Sequence, residues 1–425
     1  MKRNVLLVAL AMMLALPTAA SARDWYVSIK RGRGKKGTKV KPAKDLGNIV
    51  AKIVDGDVIH IAEGVYLGRG KSGSTGLAAA VKILGGYSDD FSKRDPWGAH
   101  RTILTGLDVY GGSTDSRLIV DCRKRGPKPL VIDGLIIDNG PRNHFKTEKN
   151  LLILRKANGG KNKNASPERG AIRVKGGQCL VSITNNVLMN TAPTAGVIQI
   201  WSSKNGKVSI RNNLIINNTG EGVYAMTSFH GRSAQGLPEY EIHNNTFLFH
   251  WKHDAIATYG GNAIKLDSSV KLKATNNVFG FGDYGGVDNI KKSKWVKLAN
   301  NLFFGNKLYD YREYNTAMKV DDIEDESDIL GEDSEGNLSK MVKVKVGKRF
   351  ATIYASLIPV SRHAVDAAAK VKNTGANQLR GILGLPLQAG AVKMDANIWL
   401  PRLMIDEALA AGSAQFLGKY GCKKP

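Results

Sequence analysis

The segment His250-Trp251-Lys252-His253-Asp254 holds two of the eight histidines in the chain, beside a lysine, an aspartate and a tryptophan. Lys252, His253 and Asp254 are residue types that move protons and offset developing charge, and tryptophan offers a flat apolar surface to a sugar ring. The same segment also reads as an exposed loop in which Trp251 simply covers the core. A metal site of His250, His253 and Asp254 has no recognised ligand spacing behind it.

A second group stands just ahead of a recurrent Asn-Asn pair. Thr184, Arg211, His243, Thr275 and Ala299 each precede such a pair, and Ser182, Ser209, Glu241, Lys273 and Lys297 lie two residues further back. On stacked coils Arg211, Glu241, His243 and Lys273 become neighbours, giving a cation for a substrate carboxylate and an imidazole or carboxylate for proton transfer. A solvated outer strand face is the alternative reading. The catalytic candidates are Lys252, His253, Asp254, Arg211 and His243; Arg173, Gln199, Trp201, Tyr224, Tyr259 and Lys273 are the candidates for substrate contact.

The elements that position them come from a repeat. Asn185-Asn186, Asn212-Asn213, Asn244-Asn245, Asn276-Asn277 and Asn300-Asn301 recur at intervals of 27, 32, 32 and 24 residues. Such a period marks stacked supersecondary units. Ile183, Ile210, Ile242, Ala274 and Leu298 stand two residues before the first Asn of each pair, so strand alternation predicts that this first Asn faces inward. The expectation is a buried column of amides from Asn185, Asn212, Asn244, Asn276 and Asn300, hydrogen-bonded from coil to coil. Leu188, Ile215, Phe247, Phe279 and Phe303 form a second row that reads as core.

A third strand per coil is expected at residues 170–174, 196–200, 222–226, 255–259 and 286–290. This alignment sets Glu221 opposite Asp254 and Tyr224 opposite Ala257. Both parities of the row are partly apolar, so its inward face stays open, and a shift of one residue exchanges the faces.

The run Gly56-Asp57-Val58-Ile59-His60-Ile61-Ala62-Glu63-Gly64-Val65-Tyr66, followed by Gly85-Gly86-Tyr87-Ser88-Asp89-Asp90-Phe91-Ser92 and Thr102-Ile103-Leu104-Thr105-Gly106, resembles the entry coils of bacterial pectin-lyase-like proteins. The resemblance covers roughly residues 25–310. It implies an all-β fold, a single-stranded right-handed parallel β-helix solenoid with three strands per coil. An amphipathic helix at residues 43–54 would cap the N-terminal end, with Leu46, Ile49, Val50 and Ile53 at helical spacing. The chain divides into a signal peptide at 1–22, a cap with the first coils at 23–100, repeats at 101–310, and a final coil with a mostly helical C-terminal cap at 311–425.

The resemblance also implies a chemistry. Many such proteins are lyases, hydrolases or epimerases of acidic polysaccharides; a lyase of this kind offsets the uronate carboxylate with Arg, Lys or Ca²⁺ while a Lys, Arg, His or Tyr removes the C5 proton. The triplets of the polygalacturonase branch, the Asp-Pro-His-Asp segment of alginate epimerases and the Trp-Ile-Asp-His segment of pectate lyases do not occur in this sequence. Fold analogy by itself does not assign a reaction.

Composition narrows the partners. Met-Lys-Arg, an apolar stretch from Val5 to Leu16 and Ala20-Ser21-Ala22 have the order of a secretory signal peptide, with cleavage expected after Ala22 and a secreted or periplasmic destination. The stretch is too short to span a bilayer. Losing Lys2 and Arg3 takes the formal net charge from +25 to +23, which either favours polyanions or only keeps the protein soluble or loosely bound to an acidic cell surface. Lys146, Lys149, Arg155, Lys156, Lys161, Lys163 and Arg169 make the insertion at 142–169 either a clamp over an acidic chain or a loop with no partner. Three cysteines allow one internal bridge, Cys122 with Cys179, or three idle thiols. Asp321, Asp322, Glu324, Asp325, Glu326 and Asp328 could gather Ca²⁺, but they lack the glycine and spacing of a dedicated loop, so a solvated linker is expected there and no cofactor is assigned.

The sequence thus points to a secreted β-helix protein that acts on or binds an acidic polysaccharide as a lyase or epimerase, or else to a non-catalytic glycan-binding or envelope protein. Secretion and the lack of a nucleic-acid-binding motif argue against nucleic acid. The sugar and the oligomeric state stay open.

Overall fold

The computed structural model describes residues 22–68, 73–106, 116–140, 145–146, 151–153, 170–191, 193, 195–229, 233–251, 260–325, 334–357, 383–385, 399–412 and 418–425. Each coil contributes one strand in turn to three sheets of nine strands. The coil Lys207–Arg211, Leu214–Thr219 and Glu221–Thr227 shows the order of first, second and third sheet. Pairing between coils is parallel throughout the repeats. These strands wind a right-handed parallel β-helix, the hand that parallel crossovers adopt.

Alternation builds the first sheet as expected. In Lys207–Arg211, Val208 and Ile210 are buried while Lys207, Ser209 and Arg211 point outward. Ile183, Ile210, Ile242, Ala274 and Leu298 stand in register across five coils. The predicted core row is equally regular: Phe247, Phe279 and Phe303 stack with ring centroids 5.3 and 4.9 Å apart. Those distances follow the spacing of parallel strands.

The amide column exists, but the second Asn of each pair forms it. Asn185, Asn212, Asn244, Asn276 and Asn300 have φ between 53 and 56°. That left-handed residue turns the corner and breaks the strand alternation on which the prediction rested. Asn186, Asn213, Asn245, Asn277 and Asn301 are buried instead. Each donates its Nδ2 to the Oδ1 of the next rung at 2.9–3.1 Å, with Asn337 as a sixth rung. Each also reaches back to a carbonyl of the preceding coil, as Asn245 does to Ile210 at 2.8 Å.

Both ends differ from the expected caps. Residues 43–54 form two 3₁₀ turns, Leu46–Asn48 and Val50–Lys52, rather than one α-helix. Gly47 and the β-branched Ile49, Val50 and Ile53 disfavour a continuous helix, yet Leu46 and Ile49 still close the open end of the core. At the other end the acidic run is not a linker where it is described. The helix Val320–Asp325 sends Val320 and Ile323 into the core, and Glu324 accepts from Asn337 Nδ2 at 3.0 Å, terminating the amide column.

Beyond that closing helix, the later described C-terminal segments lie along the flank of the solenoid instead of over its end. Phe350, Leu403, Ala408, Ala411, Tyr420 and Cys422 pack against Val187, Met189, Leu214, Ile216, Leu248 and Leu302 on the outer face of the second sheet. That sheet is apolar on both faces, so its outward side chains need a cover. The last residues run across the coils: Gly421 N donates to Asn276 O at 2.8 Å, Cys422 N to Thr246 Oγ1 at 3.0 Å and Lys423 N to Asn212 Oδ1 at 2.6 Å. Cys122, Cys179 and Cys422 are buried free thiols, so the bridge that spacing allowed is not formed. No helix among the described residues is long and apolar enough to cross a membrane.

Candidate functional site on the third sheet

The third sheet carries ionisable side chains on its outer face that are nevertheless buried. Its register aligns Arg173, Gln199, Tyr224, Lys265, Asp288 and Arg312 in one outward column over six coils. Between them Ile172, Ile198, Val223, Ile264 and Val287 point into the core, which settles the parity that the sequence left open. Three of the predicted contact residues, Arg173, Gln199 and Tyr224, therefore share a column. Trp201 lies two residues beyond Gln199 on the same face and is 44% exposed.

Glu221 opens the strand Glu221–Thr227 and is only 2% exposed. Its Oε1 lies 3.5 Å from Lys265 Nζ, and its Oε2 has no hydrogen-bond partner among the described residues. Burial, with Asp288 adding to it against the pull of Lys265, pushes the carboxyl up from 4.5 to about 7. Gly222 lets the corner close behind it: a Cβ there would meet the Phe247 ring at 2.8 Å and the His250 ring at 2.9 Å. His250 is buried in that corner, and burial pushes its imidazole down to about 4, so it is neutral at pH 7.

Further along, Arg312 grips Asp288 with two parallel hydrogen bonds of 2.9 and 2.7 Å, and Asp288 is wholly buried. The guanidinium lies 5.1 Å above the Tyr309 ring and 5.6 Å above that of Tyr284. Tyr309 donates its hydroxyl to Asn262 Oδ1 at 2.8 Å, and Asn262 lies beside Glu221. Tyr224 donates to Asp267; burial first, and then that hydrogen bond, raise its phenol above the ordinary value, so it keeps its proton. The Lys265 ammonium sits 5.6 Å from the Tyr224 ring centroid. A carboxyl that ionises near neutrality, a protonated phenol and two cations thus face one patch. These are the parts of a proton-transfer site for an anionic substrate.

The expected neighbours of this patch change in one respect. The third-sheet strand following Trp251 is Asn262–Leu266, not 255–259, so Lys265 rather than Ala257 stands opposite Tyr224. Glu221 likewise meets Asn262 instead of Asp254. The paired strand begins later than a fixed offset from the Asn pair places it. Lys252, His253, Asp254 and Tyr259 lie outside the described residues, as does most of 142–169.

Arg211, His243 and Lys273 are neighbours as predicted, but on the first sheet, apart from Arg173, Gln199, Trp201 and Tyr224. Arg211 Nη2 donates to Glu241 Oε2 at 2.8 Å, and His243 Nε2 lies 3.6 Å from the same oxygen. His243 also hydrogen-bonds Thr275 Oγ1. Burial and then the Arg211 charge hold its imidazole pKa below the ordinary value.

The sequence reading missed Lys265, Asp288 and Arg312. For Lys265 the signal was a lone charge inside an apolar run, Ala263-Ile264-Lys265-Leu266; Asp288 and Arg312 carried no comparable signal. Among the described residues no three His, Cys, Asp or Glu side chains converge to hold a metal ion.

Register and winding define the class of this protein, a right-handed parallel β-helix. No family model and no curated protein matches the chain. Among solved structures it is similar to the pectate lyase Pel9A, at 11% identity over 89% of this chain and 91% of that one, with a TM-score of 0.27.

Proposed function

We propose that this is a carbohydrate-active β-helix protein that engages an acidic polysaccharide on the outer face of the third sheet, with Glu221 as the proton-transfer group. The observation behind this reading is the buried Glu221, which has one oxygen without a described partner and lies between Lys265 and Asn262 on a face that a solenoid ordinarily leaves solvated. The formal net charge of +25 favours a polyanionic substrate, and Lys265 with Arg173 supplies positive charge along the column.

In a β-elimination the Glu221 carboxylate takes the C5 proton of a uronate, whose acidity Lys265 raises by offsetting the sugar carboxylate. The electron pair forms the C4–C5 double bond as the C4–O bond breaks, and the Tyr224 phenol protonates the leaving oxygen. With the C4–O bond left intact, delivery of the Tyr224 proton to the opposite face of C5 would give an epimerase from the same groups. A secreted or periplasmic location, with cleavage after Ala22, belongs to this reading.

The test is incubation with alginate, pectate and glycosaminoglycans while ultraviolet absorbance reports the unsaturated product. Glu221→Gln should lower the rate by roughly 10²–10⁴-fold while polysaccharide still binds. Epimerisation is read by NMR of the uronate C5 configuration. Binding with neither product would replace this reading with a non-catalytic glycan-binding protein of the envelope, for which the same basic charge is the supporting observation.

A further inference from the structure

The outer face of the first sheet is built differently from the other two. The second sheet is covered by the C-terminal segments, and the third holds buried ion pairs. The first presents a groove of about 440 Å³, with Pro129, Val131 and Leu180 at one end, Ser182 and Ser209 on its floor, and Lys207 with Glu239 and Glu241 beyond. These residues come from neighbouring parallel strands in register, so the groove runs across the coils.

Charge decides what it suits. Every carboxylate on this stretch already has a cation: Asp133 pairs with Arg94, Glu239 with Lys271 at 3.1 Å, and Glu241 with Arg211 at 2.8 Å. Lys82, Lys207 and Lys273 project from the same outward face, are exposed, and make no ion pair among the described residues. The surplus is therefore positive and spread along the solenoid axis, where strands repeat at about 4.8 Å. The apolar end, with Leu180 40% exposed, suits the C–H face of a sugar ring, and the serine hydroxyls suit its hydroxyls. Among the described residues no aromatic ring lines the groove, so they offer no stacking platform of the kind that single-stranded nucleic acid uses.

We propose that this groove is a second, non-catalytic binding surface for a linear anionic polysaccharide, held by Lys207 within it and by Lys82 and Lys273 on the strands that flank its two ends. It lies on a different sheet from Glu221 and does not depend on the chemistry proposed there. Its role is to anchor a long chain, so short oligosaccharides that fill only the third-sheet site should not need it.

The experiment compares wild type, the triple charge reversal K82E/K207E/K273E, the milder K82Q/K207Q/K273Q, and the control K36E/K39E/K41E, whose lysines are exposed and lie outside the groove. Affinity for size-fractionated alginate and heparin is measured by titration calorimetry at low and at physiological salt, after circular dichroism and melting confirm the fold. The groove reversal should weaken long-chain binding about tenfold or more, the glutamine set less, and the control little; binding should also weaken with salt. Glu221→Gln should bind long chains like wild type, which separates failure of this surface from failure of the third-sheet reading. Equal losses in the groove and control variants would reduce the effect to overall charge and overturn the proposal. So would unchanged binding by the groove variants, or single-stranded DNA of matched length binding the groove more tightly than the glycans.

Discussion

Replacing Glu221 by Gln should change the pH dependence of stability in a direction set by burial. In the folded protein the carboxyl ionises at about 7, against 4.5 for an ordinary glutamate. Below pH 4.5 it is protonated in both states and costs nothing electrostatically. Between 4.5 and 7 the unfolded chain releases this proton and the folded chain keeps it, so stability falls as pH rises. Above pH 7 the loss is complete, at roughly 3 kcal/mol. The neutral amide of E221Q mimics the protonated carboxyl at every pH, and Lys265 then faces the same uncharged partner that it has in acid. The stability of E221Q relative to wild type should therefore grow by about that amount from pH 4 to pH 8. Urea unfolding at pH 4, 6 and 8, followed by circular dichroism, measures it. His250 titrates alike in both proteins and cancels in the comparison. A difference that stays flat with pH, or one that shrinks toward pH 8, would refute the idea that burial raises this carboxyl.

His250 should act with the opposite sign, since its imidazole is held down at about 4 against an ordinary 6.5: stability is lost as pH falls from 6.5 toward 4, and His250→Asn should abolish that loss in acid unfolding curves. Asn245→Ala leaves Asn213 N without its acceptor, takes one acceptor from Asn213 Nδ2 and one donor from Ile210 O in the buried column, and should cost about 3 kcal/mol in urea titrations, whereas the corner residue Asn244, replaced by Gly, should cost far less because glycine accepts its φ of 53°. Removing residues 419–425 uncovers the second-sheet flank and breaks the bonds to Asn276, Thr246 and Asn212; melting should fall by several degrees and binding of a hydrophobic dye should rise.

Periodicity and residue type determined a good deal without coordinates. The Asn pairs gave the coil, the preceding aliphatic row gave the inward face of the first sheet, and the row from Leu188 to Phe303 gave the core, because parallel register repeats each choice on every coil. The candidate site was legible only in part. Arg173, Gln199 and Tyr224 fell in one column because they lie on coils of regular length, while Lys265 was lost because more residues separate its strand from the preceding Asn pair. Only the tertiary structure decided which Asn of each pair is buried, since one left-handed residue reverses the parity that alternation assumes. It alone separated Arg211 and His243 from Tyr224, because sequence spacing fixes neighbours along a sheet but not which sheet faces which solvent. It alone raised Glu221 to the head of the site, since a carboxyl acquires its unusual affinity for a proton from the groups that exclude water around it, and these come from coils far apart in the chain.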